Sequence, residues 1–225
     1  MKRDYIVLQA RLGSKRLSGK LLLPLGGASI LEHILLRLKT SGETEGIIVA
    51  TTVDTAARIV SITEKHGARI FIGSEQDVLG RYIGAVKEFQ IRNVVRATAD
   101  NPLVDIGYLD RALVLHRNSG ADLTSFPRLP YGTGIEVIRG EVLVSIGELT
   151  RDPFEREHIT QYIYRNESTF RIIRGTPDSS MDKPEVRLTV DTEDDYRRMK
   201  DIYDNLYRGE PIRVSDALDY LYRKE

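Results

Sequence analysis

The first half of the chain alternates short apolar runs with helical patterns, and this alternation restricts the possible folds more than any other feature. Runs with the length and composition of buried strands occur at 5–8, 46–50, 69–72 and 93–97. Each is followed by a pattern typical of a helix, beginning near Ser29, Asp54, Asp77 and Asp105. Buried strands that alternate with helices predict an α/β fold with a mostly parallel central sheet covered by helices on both faces.

The second half of the sequence is less regular. We predict strands near 122–126, 135–139, 169–174 and 185–190, and helices over 154–164 and after Thr192. The segment from Thr192 to Asp195 has the pattern of a capping box, which marks the start of a helix. Because the 225 residues contain no internal repeat and no clear linker, we expect a single domain over residues 1–225, with an arm or insertion around 126–175.

The charge balance and the composition exclude several classes of protein. Lysine plus arginine and aspartate plus glutamate each total 33, so the net charge is zero, which argues against a nucleic-acid partner. The sequence has no cysteine, and this excludes disulfide scaffolds, thiolate zinc sites and cysteine nucleophiles. Apolar runs stop well short of the roughly 18 residues needed to span a bilayer. We therefore expect a soluble cytoplasmic protein with no membrane contact.

A loop rich in glycine and positive charge follows the first predicted strand. Residues 11–20 contain four cationic side chains and two glycines. Glycine lets the backbone approach a ligand closely, and lysine and arginine donate to phosphate oxygens. Lys20 is followed by Leu21, so the loop is not a Walker A motif, which requires Ser or Thr there. Two interpretations remain, a solvated basic turn and a phosphate-binding loop, and the position after a strand favours the second.

Two aspartates also follow predicted strands. Asp100 lies in Thr98-Ala99-Asp100 and Asp191 in Thr189-Val190-Asp191, about ninety residues apart. A single carboxylate at such a place is often only a helix cap. If both face the basic loop, they suit Mg²⁺, a hard cation that takes oxygen ligands and bridges phosphates.

Motifs along nearly the whole chain resemble those of the cytidylyltransferase family, which includes the synthetases of CMP-activated octulosonate and sialic acid. The resemblance is nearest to the branch of spore-coat polysaccharide biosynthesis. The motifs occur in order and at matching separations: Gln9-Ala10-Arg11-x-Gly13-Ser14 with Gly19-Lys20, Ala50-Thr51-Thr52, Gly73-Ser74-x-x-Asp77-Val78-Leu79-x-Arg81-Tyr82, Arg96-x-Thr98-Ala99-Asp100-x-Pro102, Arg156-Glu157-His158, and Leu188-Thr189-Val190-Asp191-Thr192. This resemblance implies a single Rossmann-like, GT-A-like nucleotidyltransferase domain with a small dimerisation arm.

The resemblance also implies roles for individual residues. The catalytic residues are Arg11, Lys20, Asp100 and Asp191, and both aspartates hold Mg²⁺. The nucleotide-binding set is Gln9, Ala10, Arg11, Gly13, Ser14, Lys20, Thr51, Arg81 and Thr98. Thr98 departs from the octulosonate enzymes, which carry a base-contacting glutamine there. Arg156, Glu157 and His158 contact either the sugar or a second subunit, and Glu136 faces either the acceptor pocket or solvent.

The function implied is transfer of CMP from CTP to an acidic or amino sugar with release of pyrophosphate, for polysaccharide of the cell surface or spore coat. A homodimer is expected, with Phe126, Leu129 and Tyr131 as candidates for burial at the interface. The alternatives are an enzyme of the same fold that uses another nucleotide or a nucleotide-sugar donor, and a catalytically silent nucleotide-sugar-binding subunit.

Overall fold

A computed structural model describes residues 3–13 and 16–224 of the chain. The strands are β1 Asp4–Gln9, β2 Pro24–Leu25, β3 Ala28–Ser29, β4 Ile47–Thr51, β5 Arg69–Ile72, β6 Asn93–Thr98, β7 Leu123–Ser125, β8 Glu136–Arg139 and β9 Ile172–Arg174. The helices are α1 Ile30–Leu38, α2 Val53–Lys65, α3 Val78–Phe89, α4 Ile106–Ser119, α5 Gly140–Leu149, α6 Pro153–Glu157, α7 Gln161–Arg165, α8 Glu193–Leu206 and α9 Val214–Tyr222. Short 3₁₀ turns span Lys20–Leu22 and Glu167–Thr169.

In the described part of the chain, seven strands form one sheet in the order β5-β4-β1-β6-β8-β7-β9. Strands β5, β4, β1 and β6 are parallel, and β8 is antiparallel to both of its neighbours. The chain moves from β1 outward through β4 to β5 and then returns to place β6 on the other side of β1. The strand order therefore reverses between β1 and β6, which is where open α/β sheets bind their ligands. The predicted α/β class with a mostly parallel sheet is confirmed.

The apolar core lies on both sides of this sheet. Alternate residues of β1 point to opposite faces, so Ile6 and Leu8 belong to one buried cluster and Val7 belongs to the other. The capping box that opens α1 is present, with Glu32 accepting from the Ser29 amide and Ser29 accepting from the Glu32 amide. The Ser29 amide, helped by Lys65 against the opposing effect of burial, lowers the pKa of Glu32 to about 2.

Several elements differ from the sequence prediction, among them three in the second half of the chain. The single helix expected over 154–164 is two short helices, α6 and α7, because the backbone leaves the helical region at His158. Helix α5 was not predicted, since its glycines and valines are weak helix formers and its stability comes from packing against α3. The strand expected over 185–190 is wrong: this extended segment pairs with loops and forms only an isolated bridge between Tyr131 and Arg187.

The irregular stretch 126–175 contributes β8 and β9 to the main sheet. Phe126 and Leu129 are buried within the chain itself, so the expectation that a second copy buries them is wrong, whereas Tyr131 is 57% exposed. Pairing of two copies through this region stays a prediction. No helix in the described ranges combines the length and the apolar character that a membrane span requires.

Candidate active site

A cleft of about 1200 Å³ opens at the carboxyl ends of β1 and β6. Gln9 and Thr98, which pair across these two strands, form its floor. The glycine loop after β1 lines one side with Arg11, Gly13, Arg16 and Lys20. Asp100 and Asp191 line the cleft beside Lys20. The cleft thus lies at the reversal of strand order, where the topology predicts a ligand site.

Buried threonines hold the glycine loop in place. Thr51 Oγ1 donates to the carbonyl of Ala10 over 2.7 Å, and Thr55 Oγ1 accepts from the Leu12 amide over 3.1 Å. The loop closes where the Gly19 amide donates to the Leu12 carbonyl, and Gly19 has a φ of 65°, which suits glycine. Thr51 is fully buried beneath the loop. The contacts of Thr51 therefore support a role in positioning the loop. Ser14, which we predict to bind the nucleotide, lies outside the described residues.

Lys20 joins the two predicted aspartates. Its ammonium donates to Asp100 Oδ2 over 3.1 Å, to Asp191 Oδ1 over 3.1 Å and to the Val190 carbonyl over 2.8 Å. Because one nitrogen contacts both carboxylates, the two contacting oxygens are separated by at most twice that contact distance. The Val190 amide donates to the Asp100 carbonyl over 2.8 Å, so backbone pairing also holds the two aspartates side by side.

Among the described residues, three cationic side chains contact Asp191. Besides Lys20, Arg16 lies 2.9 Å from Oδ1 and Arg187 lies 2.8 Å from Oδ2. Arg187 also donates to Asp195 over 2.9 Å. Burial would raise the pKa of the Asp195 carboxyl, but Arg187 and the amides of residues 191 and 192 outweigh it and hold this pKa well below its usual range. Asp191 is therefore held in a fixed orientation by Arg16, Lys20 and Arg187.

The expected sugar or subunit contacts lie at another edge of the cleft. Arg11 forms a 2.7 Å ion pair with Glu157, and Arg156 binds Asp77, which caps α3. Glu157 and the exposed His158 line the cleft.

Arg81, for which we predict a nucleotide-binding role, contacts a neighbouring loop in the structure, and its role toward the nucleotide stays a prediction. Its side chain is buried, and one of its terminal nitrogens donates to the backbone carbonyls of Ser74 and Glu75. Burial and the nearby charge of Arg11 lower its pKa. The contacts of Arg81 thus support the loop that carries Glu75 and Gln76 into the cleft wall.

A partly buried polar network surrounds Glu136. Arg96 donates to its Oε2 over 2.7 Å, Thr160 does so over 3.2 Å, and the Tyr164 hydroxyl donates to Oε1 over 2.7 Å. Burial and the Glu136 carboxylate raise the pKa of Tyr164, so its hydroxyl stays a donor at neutral pH. Of the two alternatives for Glu136, the geometry supports the cleft-facing one.

Sequence reasoning missed several residues of the site. Arg187 is an example, because its contacts to Asp191 and Asp195 depend on how an extended segment folds against other loops. Arg96 lies in one of the family motifs but has no predicted role, and Tyr164 lies outside all of these motifs. The position of Arg96 at the end of β6, two residues before Thr98, was the one available signal.

The comparisons with known proteins identify the family. The sequence model of the cytidylyltransferase family matches residues 5–214. The chain belongs to the cytidylyltransferase family. This chain is 30% identical over 230 residues to the spore coat polysaccharide biosynthesis protein SpsF of Bacillus subtilis, and the match covers 99% of this chain and 95% of SpsF. It is 38% identical over 194 residues to protein MJ1063 of Methanocaldococcus jannaschii, covering 85% of this chain and 79% of that protein.

Solved structures agree with this assignment. A cytidylyltransferase from Leptospira borgpetersenii is 30% identical, with a TM-score of 0.92 over 100% of this chain and 95% of that one. The same fold, at 16% identity and a TM-score of 0.69, occurs in a CMP:2-keto-3-deoxy-manno-octonic acid synthetase complexed with CTP, covering 89% of this chain and 98% of that one. It also occurs, at 18% identity and a TM-score of 0.63, in Rv0371C of Mycobacterium tuberculosis in complex with manganese, covering 89% of this chain and 99% of that one. The protein is therefore an enzyme, a CMP-transferring nucleotidyltransferase.

Proposed function

We propose that the enzyme transfers CMP from CTP to a hydroxyl of an acidic or amino sugar, with a divalent metal ion, and releases pyrophosphate. The observation that carries this proposal is the convergence of Asp100 and Asp191 on Lys20, in the cleft at the ends of β1 and β6. Their similarity to family motifs supports assigning these three residues to the reaction. The relative in spore-coat polysaccharide biosynthesis supports a role in making a surface polysaccharide, and a cytoplasmic location is part of the proposal.

In the proposed reaction, the acceptor oxygen attacks the α-phosphorus of CTP. The bond from that phosphorus to the oxygen bridging to the β-phosphorus breaks, and pyrophosphate leaves with the electron pair. The hydroxyl proton passes to a carboxylate oxygen, for which Asp191 is the candidate. Arg11, Arg16 and Lys20 offer the cations that bind the phosphates, and catalysis is mostly in-line positioning and charge neutralisation.

The residues present fit a magnesium ion. Asp100 and Asp191 already point one oxygen each at a shared cation, the Lys20 ammonium. In the described ranges no cluster of three or more acidic or histidine side chains is suited to a metal ion. Magnesium typically takes one or two protein carboxylates and completes its shell with water and substrate phosphates, so two aspartates suffice. When bound, the ion would supply positive charge beside the α-phosphate, and manganese in a protein of the same fold supports a divalent metal here.

The residues that line the cleft suggest how the substrates divide it. We assign the part lined by the glycine loop and Thr98 to CTP. Thr98 Oγ1 accepts from the side-chain amide of Asn101 over 2.9 Å, and a hydroxyl that accepts can also donate. Glu136, Tyr164 and His158 also line the cleft, and we assign the part next to them to the sugar. A polar network around Glu136 suits hydroxyl or ammonium groups, which hydrogen-bond to such acceptors.

Pyrophosphate release measured with each of CTP, UTP, GTP and ATP, against a panel of keto-acid and amino sugars, tests the proposal. We expect turnover with CTP and a divalent cation and little with the other nucleotides. Equal pyrophosphate release with all four nucleotides, with metal present, would contradict the cytidylyl assignment. Pyrophosphate release in no combination would favour the silent binding subunit.

Asp100→Asn and Asp191→Asn test the paired carboxylates, because each substitution removes charge and keeps shape. Each should lower kcat about 10²- to 10³-fold, the range for one preorganised electrostatic group. The double variant should be little worse than either, since residues that act as a unit are not additive. Thermal unfolding of each variant checks that the fold is retained, and strictly additive losses would contradict a shared metal ion.

A further inference from the structure

The Lys20 ammonium has no hydrogen-bonding capacity left for a phosphate in this arrangement. An ammonium has three N–H donors. Lys20 donates to Asp100, to Asp191 and to the Val190 carbonyl, and all three distances are 3.1 Å or less. The residue is only 8% exposed. Lys20 can therefore bind a phosphate only by leaving the carboxylates.

The same nitrogen occupies the position that a metal ion would need. A magnesium ion bound by both aspartates would lie about 2.1 Å from an oxygen of each. A dication there and an ammonium within hydrogen-bonding distance of the same two oxygens would repel strongly, because the site is largely screened from water. The long flexible stem of lysine allows the ammonium to move away. Moving a charged group away from its anionic partners in a buried setting has a large cost in free energy, unless the group then pairs with another anion.

We propose that Lys20 is a built-in counter-ion for Asp100 and Asp191, which a divalent cation must displace, so that metal and nucleotide bind cooperatively. This inference rests on the proposed function, because the nucleotide phosphates are the anions that receive Lys20. Without nucleotide, the ammonium competes with the metal and the metal binds weakly. With nucleotide, the metal takes the carboxylates and Lys20 takes the phosphates. By linkage, each ligand strengthens the binding of the other by the same factor.

Binding of Mn²⁺ to the full chain without nucleotide, measured from the electron paramagnetic resonance signal of free Mn²⁺, tests this competition. Lys20→Met removes the ammonium and keeps an unbranched side chain that is one atom shorter. We expect its Kd for Mn²⁺ to fall about tenfold or more below that of the wild type, within the usual range of coupling between ligands. Its turnover should fall at the same time, so that metal affinity and activity change in opposite directions.

Arg16→Gln is the matched control. Arg16 also contacts Asp191 Oδ1, at 2.9 Å, but its side chain is 64% exposed and it reaches one carboxylate only. If displacement of a shared ammonium matters, Arg16→Gln should change Mn²⁺ affinity by no more than about threefold, as expected for an exposed ion pair. Adding Asp191→Asn to Lys20→Met should abolish the gain in affinity.

The outcomes separate this inference from the proposed function. Mn²⁺ affinity that is equal or lower in Lys20→Met than in the wild type would overturn the exchange while leaving the metal site intact. An equal gain in Arg16→Gln would also overturn it, because it would reveal a general effect of charge. If neither the wild type nor Lys20→Met binds Mn²⁺, with or without CTP, the metal-dependent function fails as well. Lys20→Gln repeats the measurement if Lys20→Met does not fold.

Discussion

His116 is a buried histidine whose environment makes the stability of the protein depend on pH. Its Nδ1 lies 3.0 Å from Thr124 Oγ1, and its Nε2 is buried without a hydrogen-bond partner in the described ranges. Burial, with a further contribution from the charge of Arg139, lowers its pKa to about 4. The unfolded chain binds a proton at this histidine near pH 6.5, before the folded protein does. Stability should therefore fall as the pH is lowered from about 6.5 to 4.

His116→Gln should remove this dependence, because glutamine does not titrate. Between pH 7.5 and pH 5, the wild type should lose roughly 2 kcal/mol of unfolding free energy through His116, and the variant should lack that part of the loss. Urea unfolding of both proteins at the two pH values measures the difference. An identical pH dependence in the two proteins would show that the imidazole becomes protonated in the folded state as readily as in the unfolded chain.

For individual residues, the sequence indicated which charged side chains belong to the site better than it indicated which residues contact them. Lys20, Asp100 and Asp191 were recognisable because each lies in a family motif after a predicted strand. The partners of Glu136 were not, because β6, which holds Arg96, and α7, which Thr160 caps and which holds Tyr164, meet Glu136 only through the tertiary fold.

The extended segment 186–190 delivers Asp191 to the site, and Gly132 makes room for it. The Leu188 amide donates to the Tyr131 carbonyl over 2.7 Å, and the Tyr131 amide donates to the Val186 carbonyl over 2.8 Å. Gly132 has a φ of 96°, and a Cβ on it would lie 2.8 Å from the amide nitrogen of Thr189. A side chain at this position would therefore push the segment, and Asp191 with it, away from Lys20.

Gly132→Ala should lower both stability and kcat, and Gly209→Ala is its matched control. Gly209 has a φ of 99°, with nothing within 4 Å of the added Cβ. Both variants should lose about 1–3 kcal/mol from backbone strain. Gly132→Ala should lose about 1–3 kcal/mol more from crowding, and a misplaced Asp191 should lower kcat roughly 10- to 100-fold. Urea unfolding and pyrophosphate release measure these effects, and equal kcat in the two variants would contradict a positioning role for the segment.

Elements with local signals were predictable, and elements stabilised from a distance were not. The helices that start at Ser29, Asp105 and Thr192 each have a side-chain cap within three residues, and all three were predicted. Segment 185–190 has the apolar alternation of a strand, but its partners are the loops at Tyr131 and Asp100. Alternation of apolar and polar residues indicates that one side of a segment is buried, but it does not identify the backbone that the segment pairs with. The prediction of a strand there was therefore wrong.

Three parts of the chain that are distant in sequence lie together in the candidate active site. The glycine loop after β1 and Asp100 after β6 meet because these strands are neighbours at the reversal of the sheet. Asp191 joins them from outside the sheet, through the pairing of Val190 with Asp100. The apolar pattern of the first half predicted that the glycine loop and Asp100 lie close together. The position of Asp191 beside them depends on contacts between loops, which hydrophobic periodicity does not encode.

Homodimer formation remains a prediction, and the exposed apolar residues indicate where it can be tested. Leu149 and Phe154 are 61% and 48% exposed, and they lie at the end of α5 and in α6, close in sequence to Glu157 and His158 of the cleft. A stable interface buries about 1,600 Å² and places apolar side chains at its centre. Light scattering should show a dimer at micromolar concentration. Leu149→Asp should shift it to monomer, whereas Val53→Asp, on α2 and 68% exposed, should not. A monomeric wild type, or dimers unaffected by Leu149→Asp, would exclude this surface as the interface.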